Sequence, residues 1–97
     1  MKKMQNINDL FLLFSQKNLY RQYGLKRIGV FGSFARGEQF NDIDLFIEDE
    51  LDFRSVLLLK KLLEQETGLP VDIMQKKYAE PVILHRALKD MKYAAAS

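Results

Sequence analysis

The 97-residue chain is 47% hydrophobic and 29% charged, with 15 Lys and Arg against 13 Asp and Glu, a net charge of +2. This composition reads as one globular domain, residues 1–97, and its scattered cations exclude the concentrated basic face that nucleic-acid binding needs. With no cysteine and a single histidine, His85, disulfides, cysteine nucleophiles and Cys/His metal sites are excluded as well.

Lys2 and Lys3 imitate the charged start of a signal peptide. The apolar runs at 10–14 and 56–59 are too short for a signal core or a membrane span, so no membrane is expected and a cytoplasmic location is. Ile7, Leu10, Phe11 and Phe14 recur at helical spacing and Gly24 ends that segment, so residues 5–23 read as one amphipathic helix. Residues 26–31 form a short strand stopped by Gly32, and Ser33 is placed to N-cap a brief helix reaching Arg36. Residues 43–48 alternate, with Ile43, Leu45 and Ile47 on one face and Asp44, Phe46 and Glu48 on the other.

Asp52 suits the N-cap of a helix over 53–67, and Gly68 followed by Pro70 stops it. The Leu-rich stretch at 57–63 reads as core, with a surplus of apolar residues for a homodimer or hetero-oligomer contact. Residues 71–75 form a strand whose Asp72 faces opposite to Val71 and Ile73. Pro81 fits the first position of a final helix carrying Leu84, Ala87, Leu88 and Met91, and the tail from Ala94 to Ser97 is expected to fray. The order α-β-α-β-α-β-α predicts an α/β (α+β) fold, a small mixed sheet of about three strands covered by helices.

The chemistry concentrates in Gly32-Ser33-Phe34-Ala35-Arg36-Gly37, followed by Asn41-Asp42-Ile43-Asp44-Leu45. A glycine turn between strand and helix offers backbone N–H groups to phosphate oxygens. Asp42 and Asp44 are two residues apart, so they share a strand face at ~6–7 Å. If the second and third strands are adjacent, Asp72 joins them. Three close carboxylates repel one another unless a cation compensates, and an all-oxygen set favours Mg²⁺ or Mn²⁺. Each element alone has a plain structural explanation; their joint occurrence points to phosphate and metal chemistry.

These residues resemble the signature of the nucleotidyltransferase superfamily with a DNA polymerase β-type palm, and the size is similar to its minimal members, the MNT proteins. The resemblance runs through most of the chain, and Asp72 in Val71-Asp72-Ile73 matches the family's third carboxylate. It implies transfer of AMP from ATP to an acceptor hydroxyl. Asp42, Asp44 and Asp72 would be catalytic and would hold Mg²⁺, as two ions. Gly32 and Ser33 would hold the triphosphate, with Arg36 either a phosphate contact or a support for the turn. It also implies a helical HEPN-type toxin as partner, silenced by adenylylation of a tyrosine, which makes the chain an antitoxin.

The spacing departs from the family in one place. Eight residues, 34–41, separate Ser33 from Asp42, two fewer than the family usually has. Losing two residues preserves strand parity. Lost from the short helix they would rotate the downstream chain by ~200°; lost from the loop at 38–41 they would leave the geometry intact. The alternative reading is therefore an inactive module that neutralises its partner by contact alone. A small-molecule transferase would need an added substrate domain that this length does not supply. His85 reads as a surface residue, and nothing singles out Tyr20, Tyr23, Tyr78 or Tyr93 as a self-modified tyrosine.

Overall fold

A computed structural model describes residues 4–96, so Lys2, Lys3 and Ser97 lie outside the described residues. Helix α1 (Ile7–Gln16) begins where the Asn6 side chain accepts from the Asp9 N–H at 3.0 Å. It buries Leu10 and Phe14. The expected single helix over 5–23 is instead two, because Asn18 takes the left-handed conformation at φ 55 and starts α2 (Leu19–Tyr23). On one continuous helix Leu19 and Tyr20 would point well away from Phe14. The break lets all three enter the core, with the Phe14 and Tyr20 rings 5.5 Å apart.

Strand β1 (Arg27–Phe31) runs directly into α3 (Gly32–Arg36). The cap residue of α3 is Phe31, with no side-chain cap bond, so Ser33 lies inside the first turn and is not the expected N-cap. Gly32 at φ +77 makes this sharp start possible. Strand β2 (Ile43–Ile47) returns antiparallel to β1, and α4 (Phe53–Thr67) carries the chain to β3 (Val71–Gln75), which pairs parallel to β2. After a 3-10 turn at Lys76–Tyr78, α5 (Pro81–Asp90) leads into β4 (Lys92–Ala95).

The sheet order is β3-β2-β1-β4, one strand more than expected. The tail expected to fray from Ala94 is paired at its start, Ala94 with Ile28 and Ala95 with Arg27, as the end of a strand that begins at Lys92. Alanine has little strand preference, but the outer edge of β1 carries backbone groups that need partners. The Arg27 guanidinium also lies 3.9 Å from the Tyr93 ring centroid.

Strand alternation separates the two faces. Ile28, Val30, Ile43, Leu45, Ile47 and Val71 bury against α1, α4 and Phe34 in the main core. The other face carries Gly29 and Phe31 from β1, Asp44 and Phe46 from β2, and Asp72 and Met74 from β3. Helix α5 covers the middle of that second face, where Phe46 and Ala87 are buried outside the main cluster. Gly29 makes room for it, since a Cβ there would stand 2.6 Å from Met91 Sδ. Of the Leu-rich stretch, Leu59 and Leu63 are core, whereas Leu57 and Leu58 are about half exposed. Among the described residues no helix is long and apolar enough to cross a membrane.

Asp52 caps α4 as expected, accepting from the Ser55 N–H at 2.7 Å, and that bond holds its carboxyl below the ordinary range. Asp52→Ala is expected to lower Tm by about 4–8 °C at neutral pH in a domain of this size. Because the folded pKa is depressed, the cap contributes above the unfolded value of 3.8 and is lost as pH falls through the folded one. Thermal melts of the two proteins should therefore converge in acid.

Candidate active site

Three strand ends meet at one corner of the sheet. Asp42 lies just ahead of β2, Asp44 is its second residue, and Asp72 is the second residue of β3. The parallel register pairs Asp44 directly with Asp72, so the adjacency on which the third carboxylate depended is present. One oxygen from each of the three lies within 4.8 Å of the others. Asp42 and Asp44 are half-buried and Asp72 is exposed.

The electrostatics follow from this crowding. The Asp44 carboxyl is pushed up to about 6, first by burial and then by the charges of Asp42 and Asp72. No salt bridge reaches any of the three among the described residues. An all-carboxylate cluster with uncompensated negative charge fits a hard divalent cation such as Mg²⁺.

The glycine turn belongs to the same corner. Phe31 pairs with Asp44 across β1 and β2, which brings the next residue, Gly32, against the carboxylate. A Cβ on Gly32 would stand 2.5 Å from Asp44 Oδ2. The turn and the carboxylates are therefore one packed unit rather than two neighbouring motifs. Ser33 is half-buried on the first turn of α3, and its hydroxyl is not consumed as a cap.

The short connection to β2 closes without disturbing α3. Gly37 ends the helix at φ +74, and the Glu38 N–H donates to Ser33 O at 3.1 Å. The Phe40 ring then packs edge-on against Phe34, centroids 4.6 Å apart, and the chain enters Asp42. The connection from α3 to β2 spans residues 37–42, and with it Asp42 and Asp44 still meet Asp72 at one corner.

Arg36 stands apart from this corner. It sits at the far end of α3, where Nη1 donates to Asp90 Oδ2 at 2.7 Å and Nε meets Glu38 Oε1 at 3.1 Å. Both carboxylates raise its already high pKa, Asp90 foremost. Its guanidinium ties α3 to α5, the supporting alternative of the two roles considered for it.

Two positioning contacts were not anticipated. The Ile43 N–H donates to Pro70 O at 2.9 Å, and the Val71 N–H donates to Glu64 Oε2 at 2.9 Å. Together they staple the entries of β2 and β3, and with them Asp44 and Asp72, to the end of α4. Glu64 carried no signal, because a helical glutamate and a strand N–H seven residues on meet only once the Gly68–Pro70 turn has closed.

The polymerase β nucleotidyltransferase family matches residues 15–93. The protein adenylyltransferase MntA of Thermococcus cleftensis is 34% identical over 84 residues, covering 80% of this chain and 83% of that one. A Methanocaldococcus jannaschii chain described as a candidate protein adenylyltransferase is 39% identical over 83 residues, covering 79% and 82%. Among solved structures, a tyrosine-to-alanine variant of the MntA–HpeT toxin–antitoxin complex superposes with a TM-score of 0.72 at 25% identity, covering 97% of this chain and 75% of that chain. A toxin–antitoxin complex with AMP-PNP gives 0.69 at 25% identity, covering 90% and 72%. The sequence match over most of the chain and the shared fold agree with the carboxylate corner, and the chain belongs to the polymerase β-type nucleotidyltransferase family.

Proposed function

We propose that this protein is a Mg²⁺-dependent adenylyltransferase that moves AMP from ATP onto a hydroxyl of a partner protein, as the antitoxin of a HEPN-type toxin. The observation that carries the reading is the convergence of Asp42, Asp44 and Asp72 within 4.8 Å beside the Gly32 turn. The acceptor hydroxyl would pass its proton to Asp72 as its oxygen bonds to the α-phosphorus, the bond from that phosphorus to the α,β-bridging oxygen breaks, and pyrophosphate leaves with the electron pair.

Asp42 and Asp44 would hold the divalent cations, and Asp72 would stand on the acceptor side. Bound there, the cations neutralise phosphate charge and lower the pKa of the attacking hydroxyl. The Gly32 and Ser33 N–H groups, with the Ser33 hydroxyl, would seat triphosphate oxygens. The relatives named as protein adenylyltransferases and the neighbouring toxin–antitoxin complexes support a protein acceptor. Closure of the short loop without displacing the carboxylates favours catalysis over neutralisation by contact alone.

Incubating the chain with Mg-ATP and its HEPN-type partner should add adenylyl mass to a partner hydroxyl. Modification that persists undiminished in Asp44→Ala would rule out the assigned site. Inhibition of the toxin with neither modification nor Mg-ATP binding would establish the contact-only alternative.

A further inference from the structure

We propose that the cleft between the β2–α4 loop and the 3-10 turn after β3 docks an arginine-bearing apolar segment of the acceptor protein, an assignment that rests on the protein-adenylyltransferase reading. The cleft has a volume of about 590 Å³. Phe53 and Tyr78 line it and are 75% and 72% exposed, the highest values of any large hydrophobic side chain among the described residues. Two rings left in water at one cleft cost free energy that a partner's apolar surface recovers on binding. Leu57, one turn along α4 from Phe53 and about half exposed, continues the apolar surface.

The charges around the rings select the occupant. Asp49, Glu50 and Asp52 line the same cleft, and Lys77 is the one cation among the described residues that line it. Asp49 accepts from the Lys26 N–H at 2.9 Å and Asp52 from the Ser55 N–H at 2.7 Å, neutral donors that leave both negative charges in place. Asp52 offsets the positive end of α4, which leaves Asp49 and Glu50 against Lys77 alone. The Lys77–Glu50 pair, 3.7 Å apart between side chains mostly in solvent, is weak enough to reopen. Lys77 Nζ also lies 5.8 Å from the Tyr78 ring centroid, so one cation already meets a ring and a carboxylate together here. A guanidinium stacks on aromatic faces and forks to carboxylates, and hydrocarbon beside it would cover Phe53 and Leu57.

The cleft stands apart from the carboxylates but on the same strands. Strands β2 and β3 run parallel, so both start at the carboxylate corner and end at the cleft. Asp72 belongs to the corner and Gln75 lines the cleft; three residues of strand span ~10 Å. A protein seated here would reach the corner without its anchor touching the metal ligands. Docking and chemistry then use separate residues.

Steady-state transfer from saturating Mg-ATP to the HEPN-type partner, paired with calorimetry of partner binding without nucleotide, tests the assignment. The double variant Phe53→Ala, Tyr78→Ala should raise the KM for the partner and weaken its binding about tenfold or more, with kcat, Mg-ATP affinity and Tm unchanged. Glu50→Lys should weaken partner binding as well, and more at low ionic strength than at high. Partner affinity in the double variant within about twofold of the parent's would overturn the proposal. So would a loss in the double variant that Glu50→Lys does not share, which would assign the cleft to an uncharged segment. Self-association of the parent chain that the double variant abolishes, with partner affinity unchanged, would assign the cleft to a second copy and overturn it too. A parent that binds the partner but transfers no AMP would sink the adenylyltransferase reading, while the nucleotide-free titration would still decide the docking.

Discussion

Asp44→Asn is expected to stabilise the metal-free protein while abolishing its response to Mg²⁺ and its transferase activity. In the fold the Asp44 carboxyl titrates at about 6 against an ordinary 3.8, with burial as the first cause and the neighbouring aspartates next. Between those values the folded chain holds a proton that the unfolded chain has released. Stability therefore falls as pH rises through this window, and above it the full cost of the buried charge is present. Allowing for solvent screening at a half-buried site, that cost is roughly 1–2 kcal/mol. Asparagine keeps the shape and removes the charge, so its Tm near pH 7.5 should exceed the parent's by at least about 4 °C. The parent's decline in stability from pH 4 to 6 should flatten in the variant. Added Mg²⁺ should raise the parent's Tm and leave the variant's unchanged, while transfer falls about a thousandfold or more. A metal-free variant that melts at or below the parent would refute the assignment of strain to this carboxylate.

The same charge explains why this corner was readable in the sequence. Asp42 and Asp44 at the entry of a strand, with a glycine turn shortly upstream, are local features legible from their two-residue spacing. Asp72 needed one non-local assumption, that β3 pairs with β2, and the parallel register supplies it. The α4 boundaries were equally legible, because Asp52 and Gly68 signal through chemistry confined to their own turns.

The features hidden from the sequence depend on contacts distant along the chain. The break at Asn18 arises because Leu19 and Tyr20 must both reach the core alongside Phe14. Strand β4 exists because β1 has an open edge, not because Ala94 and Ala95 favour strands. Arg36, which the sequence leaves between phosphate contact and support of the turn, pairs with Asp90, 54 positions along the chain. Glu64 at the strand entry belongs to the same class. The sequence offered the candidate site residues, and tertiary packing determines which of the other polar residues are engaged elsewhere.

Gly32→Ala should be the most damaging single change that leaves every reactive group in place. Two costs act together at this position. The backbone sits at φ +77, where an L side chain costs about 1–2 kcal/mol. The new methyl would also meet Asp44 Oδ2 at 2.5 Å, so either the carboxylate or the β1–α3 turn must move. A displacement near 1 Å in such a constellation costs about a hundredfold in rate, and the total destabilisation should reach roughly 2–4 kcal/mol. Gly37 provides the matched control. Its φ of +74 is nearly the same, yet nothing lies within 4 Å of its would-be Cβ. Gly37→Ala should therefore show the conformational cost alone and keep most of the transferase activity. Denaturant titrations can isolate the contact further, since in an Asp44→Ala background the obstructing oxygen is gone. There the destabilisation by Gly32→Ala should shrink toward that of Gly37→Ala, a coupling of about 1–2 kcal/mol. Equal losses from the two glycine substitutions in the parent, with no such coupling, would mean that the turn and the carboxylate are independent, and the packed unit inferred at this corner would have to be abandoned.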